Sequence, residues 1–231
     1  MNILELQLLT DNLEIQQKFY ANVLGLQILE RTANHLTLQI GSSLLKFTQQ
    51  PGFTGQYHFA FNIPENQLEM AKIWLEARAE LIADTDGTIV FDSQNWNAHQ
   101  VYFRDPQGNI LELIARHELA NASQAEFSRR SFLNISEIGL ACDDVPSLVQ
   151  WLEKHLKLEV YKNSNQQFAP VGDANGLLIL VQNAREWFPS TGVHATPQPV
   201  VLVIADNKMQ TLEIPDLPYQ IKTTIPNQEA S

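Results

Sequence analysis

A single cysteine, Cys142, in a chain of 231 residues rules out an intrachain disulfide and leaves no basis for a thiolate metal site. Basic residues are also scarce. Lys and Arg total 15 against 26 Asp and Glu, a net charge of −11, and the chain lacks the clustered cations that grip a phosphate backbone. Acidity on this scale is compatible with cationic ligands, but it is common and selects no partner by itself. No apolar run approaches the roughly 20 residues that cross a bilayer. The first residues, Met1–Gln7, show no basic stretch leading into an apolar one, so no secretory signal is expected. These absences make a soluble cytoplasmic protein the expectation, with neither nucleic acid nor membrane as partner.

What is present is most informative between Val101 and Ile114. This stretch reads as strand, tight turn, strand. Asp105-Pro106-Gln107-Gly108-Asn109 supplies the turn, because proline pre-sets one φ and glycine permits a positive one. The second strand carries Glu112 between Leu111 and Leu113. Side chains alternate across a strand, so Glu112 points away from the face its neighbours bury. It is either solvated or aimed into a cup.

An internal repeat is the second signal. Glu5–Leu26 aligns without gaps on Glu137–Leu158, matching Glu5 with Glu137, Leu8 with Leu140, Asp11 with Asp143 and Phe19 with Trp151. The spacing is too long for a solenoid and indicates duplicated domains. Each copy reads as a strand, an acidic cap, an amphipathic helix and a second strand. In the first copy Asp11 or Asn12 caps a helix with Ile15, Phe19, Val23 and Leu26 on one side, and Gly25 suits its end. Strands are expected near 27–31, 35–40 and 43–48. Tyr57–Ile63 alternates again, with His58, Ala60 and Asn62 opposite Tyr57, Phe59 and Phe61. A helix near Glu65–Ala79 and strands near 89–93, 99–104 and 109–116 complete a second unit. The fold class is therefore α+β, built from βαβββ units in two tandem domains. The expected division is a first domain over 1–116, a connector over 117–132 and a second, truncated domain over 133–231. The tail from Asn227 to Ser231 is expected to be disordered.

These features resemble the vicinal oxygen chelate superfamily, which includes glyoxalase I, extradiol dioxygenases, and fosfomycin- and bleomycin-resistance proteins. The resemblance rests on Phe19–Leu26, His58–Phe61 and Tyr102–Leu113. It implies βαβββ modules paired into an open cup around a divalent metal. Carried over residue by residue, it places metal ligands at Glu5, His58 and Glu112. One imidazole and two carboxylates suit Fe, Mn, Ni or Zn, and open coordination positions would polarise a bound oxygen. The chain also departs from the family pattern. Glu5 stands where His is frequent. Lys46 falls near a further carboxylate position of glyoxalase I and could pair with Glu5 or Glu112 instead. Pro199 falls near the His position of the last unit, and no last Glu-bearing strand is expected after it. The second domain is therefore expected to have lost any metal site.

Each residue has a bland reading beside the functional one. His58 is an ordinary strand histidine by base rate, and Glu5 could simply salt-bridge Lys46. Tyr102 shares the face of Glu112, where it could hydrogen-bond a substrate or merely pack; Gln100 and Arg104 share that parity. Trp96 sits in a loop able to fold over the cup. His99 has the opposite parity and reads as structural, while His35, His117, His155 and His194 carry no pattern. Two functions fit. One is a metal-dependent lyase, isomerase or dioxygenase acting on a small oxygen-bearing molecule, with Glu112 and Tyr102 in the chemistry. The other is a non-catalytic drug-binding protein of the bleomycin-resistance type. The tandem arrangement fits a monomer or a homodimer.

Overall fold

The computed structural model describes residues 1–225; the tail from Asn227 to Ser231 lies outside them. The first unit runs β1 (Ile3–Thr10), α1 (Leu13–Gln17), β2 (Gln27–Arg31), β3 (His35–Ile40) and β4 (Ser43–Gln49). The second contains β5 (His58–Ile63), α2 (Leu68–Glu76), β6 (Leu81–Ile82), β7 (Phe91–Ser93), β8 (Ala98–Arg104) and β9 (Ile110–Arg116). The third has β10 (Asn134–Cys142), α3 (Val145–Leu156), β11 (Phe168–Asp173) and β12 (Gly176–Gln182). The last keeps only strands: β13 (Val200–Ala205), β14 (Gln210–Glu213) and β15 (Tyr219–Thr224). The α+β class and the truncation of the final unit agree with the pattern in the sequence.

The strand pairing departs from it. One seven-stranded sheet has the order β14-β15-β13-β1-β4-β3-β2, and the other runs β11-β12-β10-β5-β9-β8-β6 with β7 against β8. Thus the first unit shares a sheet with the last, and the second shares one with the third. At each junction the leading strands are antiparallel: Glu5 lies opposite Val203, and Glu137 opposite Ala60. A register shift precedes both glutamates, between Ile3 and Glu5 and between Ile135 and Glu137. The repeat therefore survives as pseudo-symmetry down to its bulges, but the two halves exchange partners.

Local chemistry explains most element ends. Asn12, not Asp11, caps α1, its Oδ1 accepting from the backbone N–H of Glu14 and Ile15 at 3.0 and 3.1 Å. The helix then widens into a π-helical turn over Lys18–Val23. That widening rotates the buried face to Leu13, Gln16, Phe19 and Tyr20, and leaves Ile15 and Val23 exposed. A plain 3.6-residue period therefore misassigns those two positions. Gly25 follows at φ 71°, the left-handed geometry expected after a helix. Helix α3 is regular: Asp144 caps it, Pro146 sits in its first turn, and Val145, Leu148, Leu152 and Leu156 form its buried stripe.

The Asp105–Asn109 turn has a structural task. The Asp105 carboxylate is buried and accepts from Tyr20 Oη (2.9 Å), Gln16 Nε2 (3.0 Å) and Asn109 Nδ2 (2.8 Å). Asn109 Oδ1 in turn accepts from the Tyr57 N–H at 2.8 Å. The turn thus ties the β8–β9 hairpin to α1 and to the start of β5. A continuous core runs through both sheets, including Leu6 and Leu8 of β1, Phe59 and Phe61 of β5, and Leu111 and Leu113 of β9. Among the described residues no helix is long and apolar enough to cross a membrane.

Candidate metal centre

The opposite face of the second sheet is a cup. Strand β5 sends Phe59 and Phe61 to the core and His58, Ala60 and Asn62 to the cup. In register, Ala60 pairs with Glu112 on β9 and with Glu137 on β10, while Tyr102 on β8 lies opposite Glu112. His58, Glu112 and Glu137 are all buried, and each offers a ligand atom within 4.8 Å of the other two. This group could hold a divalent ion.

The electrostatics of the three residues fit a cation. The Ile110 carbonyl lies 3.2 Å from His58 Nδ1 and can only accept, so Nδ1 carries the proton. Nε2 then presents its lone pair toward Glu112 Oε2, 3.7 Å away. Two acceptors facing each other in a buried site call for a proton or a metal between them. Burial holds the His58 imidazole neutral, lowering its pKa to about 4. Burial also lifts the Glu112 carboxyl well above the usual range, reinforced by the Glu137 charge and opposed by Arg116 and a hydrogen bond from Tyr102. Glu137 is raised by burial against the pull of Arg116. Arg116 is bonded to Glu137 rather than to Glu112, so an ion would give Glu112 a directly bonded positive partner.

Arg116 is the other charge at the centre. It is fully buried on the same face of β9 as Glu112, and its Nη2 bonds the Glu137 carboxylate. Its Nε donates to Asn62 Oδ1 at 3.2 Å, and the guanidinium lies 5.3 Å from the Trp96 ring centre. Above His58, Glu112 and Glu137 lies a cavity of about 300 Å³, walled by Trp96, Tyr102, Phe168, Trp187 and Phe188. Trp187 and Phe188 belong to the segment between β12 and β13, which crosses the cup. The Trp187 ring sits 5.0 Å from that of His58 and fills the space left open by Gly139, where a Cβ would run into it.

The structure brings together His58, Glu112 and Tyr102 of the residues singled out in the sequence, and Gln100 and Trp96 line the same cavity. Glu5 is not brought to them. It stands on β1 in the other sheet, where it accepts from Gln7 Nε2 at 2.7 Å. Because the halves exchange sheets, Glu137, the repeat partner of Glu5, takes the third corner. The second half thus contributes to the cluster it was expected to lack. The other sheet has the same register with different chemistry. Glu5 faces Val203, which pairs with Lys222, the counterpart of Glu112; Val201 occupies the place of His58. The last strand is present, but its carboxylate is not. Lys46 pairs with Gln7 in the other sheet and makes no ion pair with Glu5 or Glu112. Arg104 donates to the Thr191 carbonyl, fixing the covering segment. Sequence reasoning missed Arg116 and Trp187. Arg116 was readable from its even spacing with Glu112 along β9, whereas nothing local marks Trp187.

Paired βαβββ modules define the vicinal oxygen chelate fold, and this chain has it. No protein-family model and no curated protein matches the sequence. Several solved structures are similar over almost the whole chain, among them the following two. A candidate dioxygenase from Bacillus subtilis superposes with a TM-score of 0.66 at 15% identity, over 96% of this chain and 85% of its own. Glyoxalase I from Zea mays superposes with a TM-score of 0.56 at 13% identity, over 97% of this chain and 92% of its own.

Proposed function

We propose that the protein is a metal-dependent enzyme of the glyoxalase and dioxygenase type, acting on a small organic molecule that offers oxygen atoms. The observation that carries this reading is the convergence of His58, Glu112 and Glu137 at the floor of an aromatic-walled cavity. A divalent ion held there, such as Fe, Mn, Ni or Zn, would supply Lewis acidity toward the substrate oxygens. The chain's own residues do the rest. Tyr102 stands opposite Glu112 across the β8–β9 pair, where its hydroxyl can donate to the carboxylate or to a substrate oxygen. Gln100 donates to Ser93 Oγ at 2.6 Å, while its Oε1 has no partner among the described residues, so a substrate O–H or N–H can be received there. Trp187 packs over His58 and covers part of the site, which lowers the local dielectric and strengthens the polar interactions beneath it.

A second reading is a non-catalytic binding protein of the bleomycin-resistance type. The Arg116–Glu137 pair favours it, because a guanidinium already satisfies one of the three ligand residues. Metal content distinguishes the two readings. Protein purified without chelators or an affinity tag is expected to carry close to one equivalent of a transition metal. His58→Ala, Glu112→Ala and Glu137→Ala should each lose it, while Glu5→Ala should keep it. Failure of the wild type to bind Fe(II), Mn(II), Ni(II) or Zn(II) after reconstitution would overturn the enzyme reading and favour the binding one.

A further inference from the structure

A second group of ligand side chains lies on the opposite face of the same sheet. His99, on β8, has the opposite parity from Gln100 and Tyr102, and His117 follows the end of β9. Their rings meet edge to face with centroids 5.0 Å apart, and His99 Nδ1 stands 2.7 Å from His117 Nε2. The backbone fixes both. Asp92 and His99 are cross-strand partners, and the His117 N–H donates to the Asn97 carbonyl at 2.9 Å. The outer nitrogen of each ring faces a carboxylate: His99 Nε2 lies 3.8 Å from Asp92 Oδ1, and His117 Nδ1 lies 4.0 Å from Glu65 Oε2.

This arrangement sets the tautomers against each other. A carboxylate only accepts while ionised, so each outer nitrogen is favoured as N–H. A neutral imidazole holds one such hydrogen, which leaves both inner nitrogens as lone pairs pointing at one another. The contact is then closed in one of two ways: one ring turns to its other tautomer and donates to its neighbour, or a metal ion takes both lone pairs. A metal-bound histidine commonly directs its other N–H to a carboxylate, which orients the ring and raises its basicity. Here each imidazole has a carboxylate near that nitrogen, at 3.8 and 4.0 Å, a gap that a small side-chain rotation closes.

We propose that His99 and His117 form a second cation site, holding a borderline divalent ion such as zinc between His99 Nδ1 and His117 Nε2, with Asp92 and Glu65 as supports of the two rings. Imidazole nitrogen selects zinc, nickel or copper over magnesium or calcium. At Zn–N distances of about 2.0–2.1 Å, tetrahedral ligands stand about 3.3 Å apart. The rings must therefore separate by about 0.6 Å, a small rotation for side chains that are 42% and 34% exposed. Solvent completes the shell, so the ion is exchangeable. The site shares no residue with His58, Glu112 or Glu137 and stands whether or not they bind metal.

Equilibrium dialysis against zinc at neutral pH, with the full chain free of any tag, tests it. The wild type is expected to retain one equivalent more than His99→Ala and than His117→Ala, and Glu112→Gln should retain that equivalent. Equal zinc in wild type and both variants would overturn the site. So would loss in only one variant, since the proposed ion bridges both rings. A readout on the unaltered chain guards against a folding artefact: in ¹⁵N spectra of the imidazoles, zinc should shift His99 Nδ1 and His117 Nε2 together. No shift at either would overturn the proposal.

Discussion

Glu112 shows how one environment can oppose folding and serve function. Its carboxyl is 3% exposed, faces the lone pair of a neutral histidine, and has the neutral Tyr102 as its cross-strand neighbour. Its folded pKa lies above the ordinary carboxylate value, so above about pH 4.5 the folded state binds more protons than the unfolded one. Stability of the metal-free protein therefore falls as pH rises through that range, and Glu137 adds to the fall. His58 acts in the opposite sense. Its pKa drops from 6.5 to about 4, so its contribution is complete above pH 6.5 and is lost as pH falls toward 4. The full swing is about 3 kcal/mol. Urea denaturation of metal-free protein between pH 4 and 8 should show a rising limb that His58→Gln flattens and a falling limb that Glu112→Gln reduces. Glu112→Gln should then be more stable than the wild type at pH 8 while losing metal. A Glu112→Gln variant less stable at pH 8 would mean that the carboxylate already has a cationic partner.

At the level of elements, the site depends on fit between β10 and the segment that crosses the cup. Gly139 gives the Trp187 ring room to pack on the sheet beside His58, and the ring is 8% exposed as a result. The segment has further ties, from Arg104 to the Thr191 carbonyl and from Ser190 Oγ to Asp84 Oδ1 at 2.6 Å. Gly139→Ala should force the indole off the strand at a cost of about 1–3 kcal/mol, typical of an overpacked contact. Red-shifted tryptophan emission and faster amide exchange over residues 184–196 would report the displacement. Unchanged emission and exchange would show that Trp187 does not depend on the gap at Gly139. The sequence offers little warning of this contact, because 48 positions separate the two residues and no periodicity links them.

At the level of the whole molecule, parity and repeat were readable while partnership was not. Strand alternation put His58, Glu112 and Tyr102 on one face because period-two geometry is local. The alignment of Glu5 with Glu137 exposed the duplication for the same reason. Which copy joins which sheet is decided by burial of edges far apart in the chain, and no local signal carries it. Hence Glu5 was placed in the cup where Glu137 stands. The π-helical turn after α1 escaped in a similar way, since Tyr20 turns inward to reach the buried Asp105 carboxylate. This exchange of partners has a direct consequence for a fragment ending at residue 116. It would lack β13 beside β1 and β10 beside β5, leaving two long unpaired strand edges that favour association. It would also lack Glu137, the third corner of the cluster. Size-exclusion chromatography should find residues 1–116 aggregated or self-associated, and co-expression with residues 117–231 should restore a soluble complex containing both pieces. A folded monomer of residues 1–116 that binds metal through His58 and Glu112 would mean that the first half is a self-sufficient domain and that the exchange of sheets is not needed for the site.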